Sequence, residues 1–131
     1  MTSPSATQER YPYRNEPTWS RSEKAVARRA FDAALKRELH EVMQEVKQNA
    51  NRIKEAADMW KLERYLTQRR KDIDRRYDFR SSRLTQLFGR LLYEHRIGEE
   101  ELHSLGEEKL KLIRACAEIW SDVQPDLGCE R

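Results

Sequence analysis

Glycine and proline are missing where they would break a chain into short pieces. Of four glycines and four prolines in 131 residues, none falls between Thr18 and Phe88. This excludes a succession of tight turns there and points to long helices. Cysteine is as scarce: Cys116 and Cys129 cannot make a disulfide framework and are read as buried or idle thiols. His40, His95 and His103 are scattered, with no HExxH-type or close Cys/His spacing, and no Gly-rich phosphate loop or nucleophile motif is present. His95 and His103 read as surface turn residues and His40 as half-exposed in a helix. No eighteen apolar residues run together, and the opening MTSPSATQERYPYRNEP holds no apolar signal core. The expectation is a cytoplasmic protein without a membrane span, catalytic residues, metal or cofactor.

What the chain does have is charge. Hydrophobic and charged residues each make up 37%, too few apolar positions for a large core in one small domain or oligomer arm. The net charge of +3 hides an asymmetry. Residues 61–90 carry ten Lys/Arg against four Asp/Glu, a local +6, and residues 91–131 five against ten, a local −5. The two regions can meet each other or partners of opposite sign.

Pro4, Pro12 and Pro17 mark residues 1–18 as a mobile N-terminal tail, with Tyr11-Pro12-Tyr13 as incidental tyrosines or a docking motif. Order begins at Ser20, where Ser20-Arg21-Ser22-Glu23 has the form of a capping box. Phe31, Leu35, Leu39, Val42, Val46, Ile53 and Ala56 or Ala57 then recur at mixed three- and four-residue spacings. Asn49 or Ala50 fills the gap in this seam. A helix over residues 21–56 would be about 54 Å long. A compact domain of this size has a radius of gyration of only about 14 Å, so such a helix must break or pack on a second subunit. A homodimer is expected, with Leu39, Val42, Val46, Ile53, Met59 and Leu62 at its interface. Asp58 is read as the cap of the second helix. The expected architecture is all-α: a long hairpin of helices at about 20–57 and 58–80, and a smaller helical head at about 81–120. A C-terminal tail at 121–131 completes the chain, and two copies form an antiparallel-type dimer. Within residues 19–120, Gly89 lies in the apolar run Leu84, Leu87, Phe88, Leu91, Leu92, where it allows close helix packing. Gly98 and Gly106 read as helix ends, each followed by acids suited to a helix start. A last helix carries Leu110, Ile113, Cys116, Ala117 and Trp120.

The stretch DMWKLERYLTQRRKDIDRRYD (residues 58–78) is the most informative. On a helical wheel Met59, Leu62, Leu66, Ile73 and Tyr77 form one stripe, read as buried. Arg69 falls on that stripe and must snorkel or find an acid. A second stripe holds Trp60, Glu63, Thr67, Arg70 and Asp74. An Arg70–Asp74 pair one turn apart would add only ~0.3–0.5 kcal/mol, so stability does not explain this stripe. Exposed Trp and Arg are the types enriched in binding hot spots; packing of Trp60 in a dimer is the alternative.

Trp60-Lys61-Leu62, Tyr65-Leu66, Arg70, Ile73-Asp74 and Tyr77-Asp78, followed by Arg80 and Ser82, resemble the signature of the cyanobacterial fluorescence recovery protein family. Flanking agreement includes Thr18-Trp19-Ser20, Phe31, Arg37-Glu38-Leu39, Leu91-Leu92, Glu100-Glu101-Leu102 and Leu105, so the resemblance spans roughly residues 17–117. It implies an all-helical, non-enzymatic homodimer that binds the light-activated orange carotenoid protein. Members speed that partner's return to its resting form, so that quenching of antenna fluorescence ends. It further implies that Trp60 and Arg70 belong to the functional patch, with Glu63, Arg64, Thr67 and Asp74 beside them.

Some positions depart from the family pattern. Glu63-Arg64 stands where well-known members carry His-Asp, reversing a charge at the patch. In the head, Gln86 replaces an aromatic and Leu112 a basic residue, at positions of possible partner contact. Like charges facing each other across an interface cost several kcal/mol, so a second reading is the same scaffold serving another client. A third is nucleic-acid contact through Arg69-Arg70-Lys71 and Arg75-Arg76 with Trp60, Tyr65 and Tyr77. The interspersed Asp72, Asp74 and Asp78 oppose it, and no nucleic-acid partner is expected.

Overall fold

The structure, a computed structural model, describes residues 18–123. The expected N-terminal tail up to residue 17, its Tyr11-Pro12-Tyr13, Cys129 and residues 124–131 lie outside the described residues. Among the described residues four α-helices follow in order, α1 (Arg21–Asn51), α2 (Ala56–Arg76), α3 (Leu84–Tyr93) and α4 (Glu107–Val123), with short 3-10 helices at Ser81–Arg83 and Glu99–Leu105. Among the described residues there is no strand, and the fold is all-α.

α1 starts where its side chains satisfy the free amides of a helix N-terminus. The Glu23 N–H donates to Ser20 Oγ at 3.1 Å, and the Ser20 N–H donates to Glu23 Oε1 at 2.8 Å. At 31 residues α1 is about 46 Å long. It ends at Asn51 rather than near residue 57. Asp58 explains the break: its carboxylate accepts from the Lys54 N–H at 2.9 Å and the Glu55 N–H at 3.2 Å. Those amides would otherwise have continued the α1 ladder. Asp58 is therefore not the cap residue but sits three positions inside the cap, Glu55.

α2 likewise stops at Arg76, short of residue 80. Tyr77 and Phe79 pull the chain off the helix axis by packing edge-on against Phe31, with ring centroids 5.4 and 5.2 Å away. α1 and α2 form an antiparallel hairpin: Glu38 of α1 meets Arg76 of α2, and Glu41 meets Arg69 nearer the turn.

The core lies where the head closes on the first half of α1. Trp19, Ala27, Ala30, Phe31 and Ala34 pack with Leu84, Leu87, Phe88 and Leu91 of α3, Ile97, Leu102, Leu105, and Leu110 and Ile113 of α4. Gly89 brings α3 against α4, since a Cβ there would collide with Cys116 Cβ and lie 3.0 Å from the Ala117 nitrogen. α3 ends in a Schellman turn, with the Arg96 N–H on the Leu91 carbonyl at 2.8 Å and the His95 N–H on the Leu92 carbonyl at 3.1 Å. The left-handed residue in this turn is His95, at φ 62°. Gly98 thus does not end a helix; it precedes the 3-10 helix in extended conformation, whereas Gly106, at φ 95°, does terminate it.

Because the head covers only one end of the hairpin, the other end keeps its apolar residues in the open. Leu39, Met59 and Leu66 are each 44% exposed and Met43 53%. Of the α2 stripe read as buried, only Ile73 is buried in the single chain; Leu62 and Tyr77 are half-buried, and Met59 and Leu66 are exposed. Val42 is already buried within the chain, while Val46 and Ile53 are half-buried.

Candidate functional site

α2 has a long outward face because the head does not reach its first turns. Trp60 is 57% exposed, a large indole with most of its surface in water. Glu63, Arg64, Arg70 and Asp74 are also exposed and Thr67 is half-buried. Thr67 Oγ1 donates to Glu63 Oε2 at 3.3 Å, which stiffens the middle of the stripe by one turn. Arg70 and Asp74, one turn apart and able to pair, do not do so. An exposed pair of this kind gains too little to hold two side chains in one geometry. Arg70 makes no ion pair among the described residues, so its guanidinium is available.

Arg69, next to Arg70, points the other way and finds the acids its position demanded. Its guanidinium lies 3.5 Å from Glu38 and 3.8 Å from Glu41. Glu38 is fully buried, and the other contacts converge on it: Arg76 at 2.5 Å, the Tyr77 hydroxyl donating at 2.9 Å, and Arg96 Nε at 3.4 Å. Glu94 completes the cluster, 3.0 Å from Arg96. Burial alone would raise the Glu38 pKa, but Arg76, the Tyr77 hydroxyl and Arg96 outweigh it and hold the carboxyl below its ordinary range. Burial, followed by the charge and hydrogen bond of Glu38, pushes the Tyr77 phenol up, so it remains a donor. Arg37, the neighbour of Glu38, grips the head by donating to the Arg96 carbonyl at 2.7 Å and to both Glu101 oxygens at 2.9 and 2.7 Å. This junction fixes the roll of α2 about its axis: with Arg69 and Arg76 turned inward, Trp60 and Arg70 face out. Sequence reasoning missed Glu38 as a site-forming residue; the available signal was Arg69 on an apolar stripe, which required a buried acid.

Gln86 and Leu112 are exposed, on α3 and α4. Gln86 lines a groove of about 700 Å³ between α2, α3 and α4, while Leu112 lies outside it. Among the described residues no cluster of His, Cys, Asp or Glu could hold a metal ion, and no helix is long and apolar enough to cross a membrane.

Together these features define a helical hairpin with a capping head that presents an exposed aromatic and cationic face. The family model for the photoprotection regulator fluorescence recovery protein matches residues 19–117. The chain belongs to that family. It is 36% identical over 104 residues to the fluorescence recovery protein of Synechocystis sp., a match covering 79% of this chain and 95% of that one. Two solved structures are similar in fold. The fluorescence recovery protein of Fremyella diplosiphon gives a TM-score of 0.73 at 35% identity, over 77% of this chain and 99% of that one. The Synechocystis protein gives 0.73 at 36% identity, with the same coverage.

Proposed function

We propose that this photoprotection regulator acts in the cytoplasm as a homodimer that binds a photoactivated orange carotenoid protein and hastens its return to the resting form. The observation that carries the reading is the outward face of α2, where Trp60 stands 57% exposed and Arg70 makes no ion pair among the described residues, in a fold of this family. An exposed Trp that would lose its water on binding and an exposed Arg supply the contact types that dominate protein–protein binding energy. Glu63, Arg64, Thr67 and Asp74 flank them, and Gln86 and Leu112 are candidate contacts in the head. Binding of this kind works without catalysis: a protein that prefers a rare, partly closed state of its partner raises that state's population. The exposed Leu39 and Met59, with half-buried Val46, Ile53 and Leu62, provide the dimer face, while Val42 packs inside the protomer.

Arg64 favours a second reading. It is exposed and makes no ion pair among the described residues, where the family pattern has an acid. The same scaffold would then serve a carotenoid protein or other client with a complementary charge.

Dark recovery of a photoactivated orange carotenoid protein, followed by visible absorbance, tests both. Acceleration by the wild type that Arg70→Ala abolishes is the expected result. Acceleration only by Glu63→His/Arg64→Asp would establish a changed client, and no effect from either would overturn the carotenoid-protein reading.

A further inference from the structure

Beside the stripe of Trp60, Glu63, Thr67, Arg70 and Asp74 runs a second outward track on α2. At about 100° per residue, Lys61, Arg64, Gln68, Lys71 and Arg75 share a sector of about 80° that holds no acid. All five are exposed. Arg64 and Lys71 make no ion pair among the described residues, and Lys61 reaches Asp58 only through its charge. Asp72 stands at the edge, accepting from Gln68 at 3.0 Å and from Arg75 at 3.3 Å. From Lys61 to Arg75 the track is about 21 Å long. Arg83, exposed and without an ion pair among the described residues, lines with Arg75 the groove between α2, α3 and α4, so the positive polarity continues into the head.

Helix stability does not explain the track. Lys61 and Arg64 stand three residues apart and Lys71 and Arg75 four apart, and like charges so spaced each cost a helix about 0.2–0.5 kcal/mol. The fold does not use the track either. Arg69 and Arg76, which meet α1, lie on another face of α2, and Met59 and Leu62 of the proposed dimer face lie roughly opposite. The track is one helix face wide. Asp72 borders one side, and Asp74 and Glu63 lie beyond Trp60 on the other, so the closely spaced phosphates of a nucleic acid would meet acids as well as cations. A single row of carboxylates fits, and Trp60 at its edge offers an apolar contact. An amphipathic helix meets both needs, with acids along one line at the three- and four-residue spacings of the cations on α2.

We propose that the track of Lys61, Arg64, Lys71 and Arg75 docks an acidic amphipathic helix of the client protein, laid along α2 with its apolar edge on Trp60. Such docking rests on the outward α2 face being the client-binding surface, and it names the chemistry of the segment that lies there. Arg64 is then one member of a row rather than an isolated reversal of charge.

The test titrates the isotope-labelled full chain with a capped helical peptide of about fourteen residues, the length of the track, bearing Glu along one face and Leu beside it. A second peptide has the same composition in scrambled order, which keeps the net charge and removes the row. The first peptide should shift the NMR signals of the Lys61, Arg64, Gln68, Lys71 and Arg75 amides and of the Trp60 indole, and the scrambled one should bind several-fold more weakly. Lys71→Glu should weaken binding roughly tenfold, while Gln68→Lys, which adds a cation to the row, should strengthen it. Lys71→Glu sets opposite charges four residues apart with Arg75, so the helix itself is not weakened. Equal binding of the scrambled peptide, shifts elsewhere, no binding, or an unchanged affinity in both variants would overturn the proposal. So would a single-stranded oligonucleotide that binds the same residues more tightly than the peptide. No carotenoid protein takes part, so the outcome is separate from the recovery assay. Failure of the docking would leave an effect of Arg70→Ala on recovery standing, and a chain inert in recovery could still bind the peptide.

Discussion

Glu38 and Arg76 form an ion pair 2.5 Å long in which the carboxylate is fully buried and the guanidinium nearly so. The pair joins the hairpin, and through Arg96 it joins the hairpin to the head. Desolvating these charges is costly, and only the surrounding contacts from Arg69, Tyr77 and Arg96 offset it.

Glu38→Gln keeps the shape but leaves three arginines short of one negative charge. Removing one partner of a buried pair costs about 3–5 kcal/mol, and chemical denaturation should show a loss of that order. The pH dependence carries a second signature. The folded-state pKa of Glu38 is lowered, so its stabilisation is fully present above the unfolded carboxylate value of about 4.3. It is lost as pH falls through the lower folded value. Glu23, Asp58, Glu99 and Glu101 are also lowered and add their own acid sensitivity. The difference between wild type and Glu38→Gln should therefore shrink in that acid window and stay constant near neutrality.

His95 occupies a left-handed backbone position at φ 62°, closing the Schellman turn after α3. A side chain there costs roughly 1–2 kcal/mol relative to glycine, partly returned because glycine has more freedom to lose from the unfolded chain. His95→Gly should raise stability by about 0.5–1 kcal/mol, read as a higher Tm with unchanged helicity. An unchanged or lower Tm would mean that the imidazole makes up for the strain.

Gly89→Ala sets two effects against each other. Helix propensity alone favours alanine by about 1 kcal/mol. The added Cβ would meet Cys116 Cβ and the backbone of Cys116 and Ala117, none of which can rotate away. Overpacking at such a site costs about 1–3 kcal/mol, so net destabilisation is expected, with a Tm lowered by several degrees and α4 loosened in hydrogen exchange. A rise in Tm would show that α3 and α4 separate easily.

How far the sequence carries this architecture depends on the range of the interactions. The Ser20–Glu23 cap and the close approach at Gly89 follow from residues near in sequence or from a small residue in an apolar run, and both were legible. The end of α1 was not, because its apolar period continues through Ile53 and the break comes from Asp58 taking the Lys54 and Glu55 amides. The end of α3 was hidden for a similar reason: His95, not a glycine, takes the left-handed position. Trp60 and Arg70 could be placed on one face by periodicity. Glu38 could not be singled out among many helical glutamates, since its burial depends on Arg76 and Arg96 arriving from distant parts of the chain. The apolar stripe of α2 misled for a further reason: periodicity tells which residues share a face, not whether their own chain covers it.

That uncovered face yields the last prediction. Leu39 and Met59 are each 44% exposed, with Met43 and Leu66 exposed on the same hairpin. Large apolar side chains left exposed in this way suit an interaction surface, and the proposed dimer would bury them. Leu39→Glu would place an unpaired carboxylate in that interface, at a cost of several kcal/mol, weakening self-association by roughly a hundredfold or more. Light scattering should then report a monomer at concentrations where the proposed wild-type dimer forms. Circular dichroism should remain helical, because Leu39 does not contribute to the core between α1 and the head. Were the variant to remain a dimer, the interface would have to lie away from Leu39. Were it to unfold, the hairpin would depend on association for its stability.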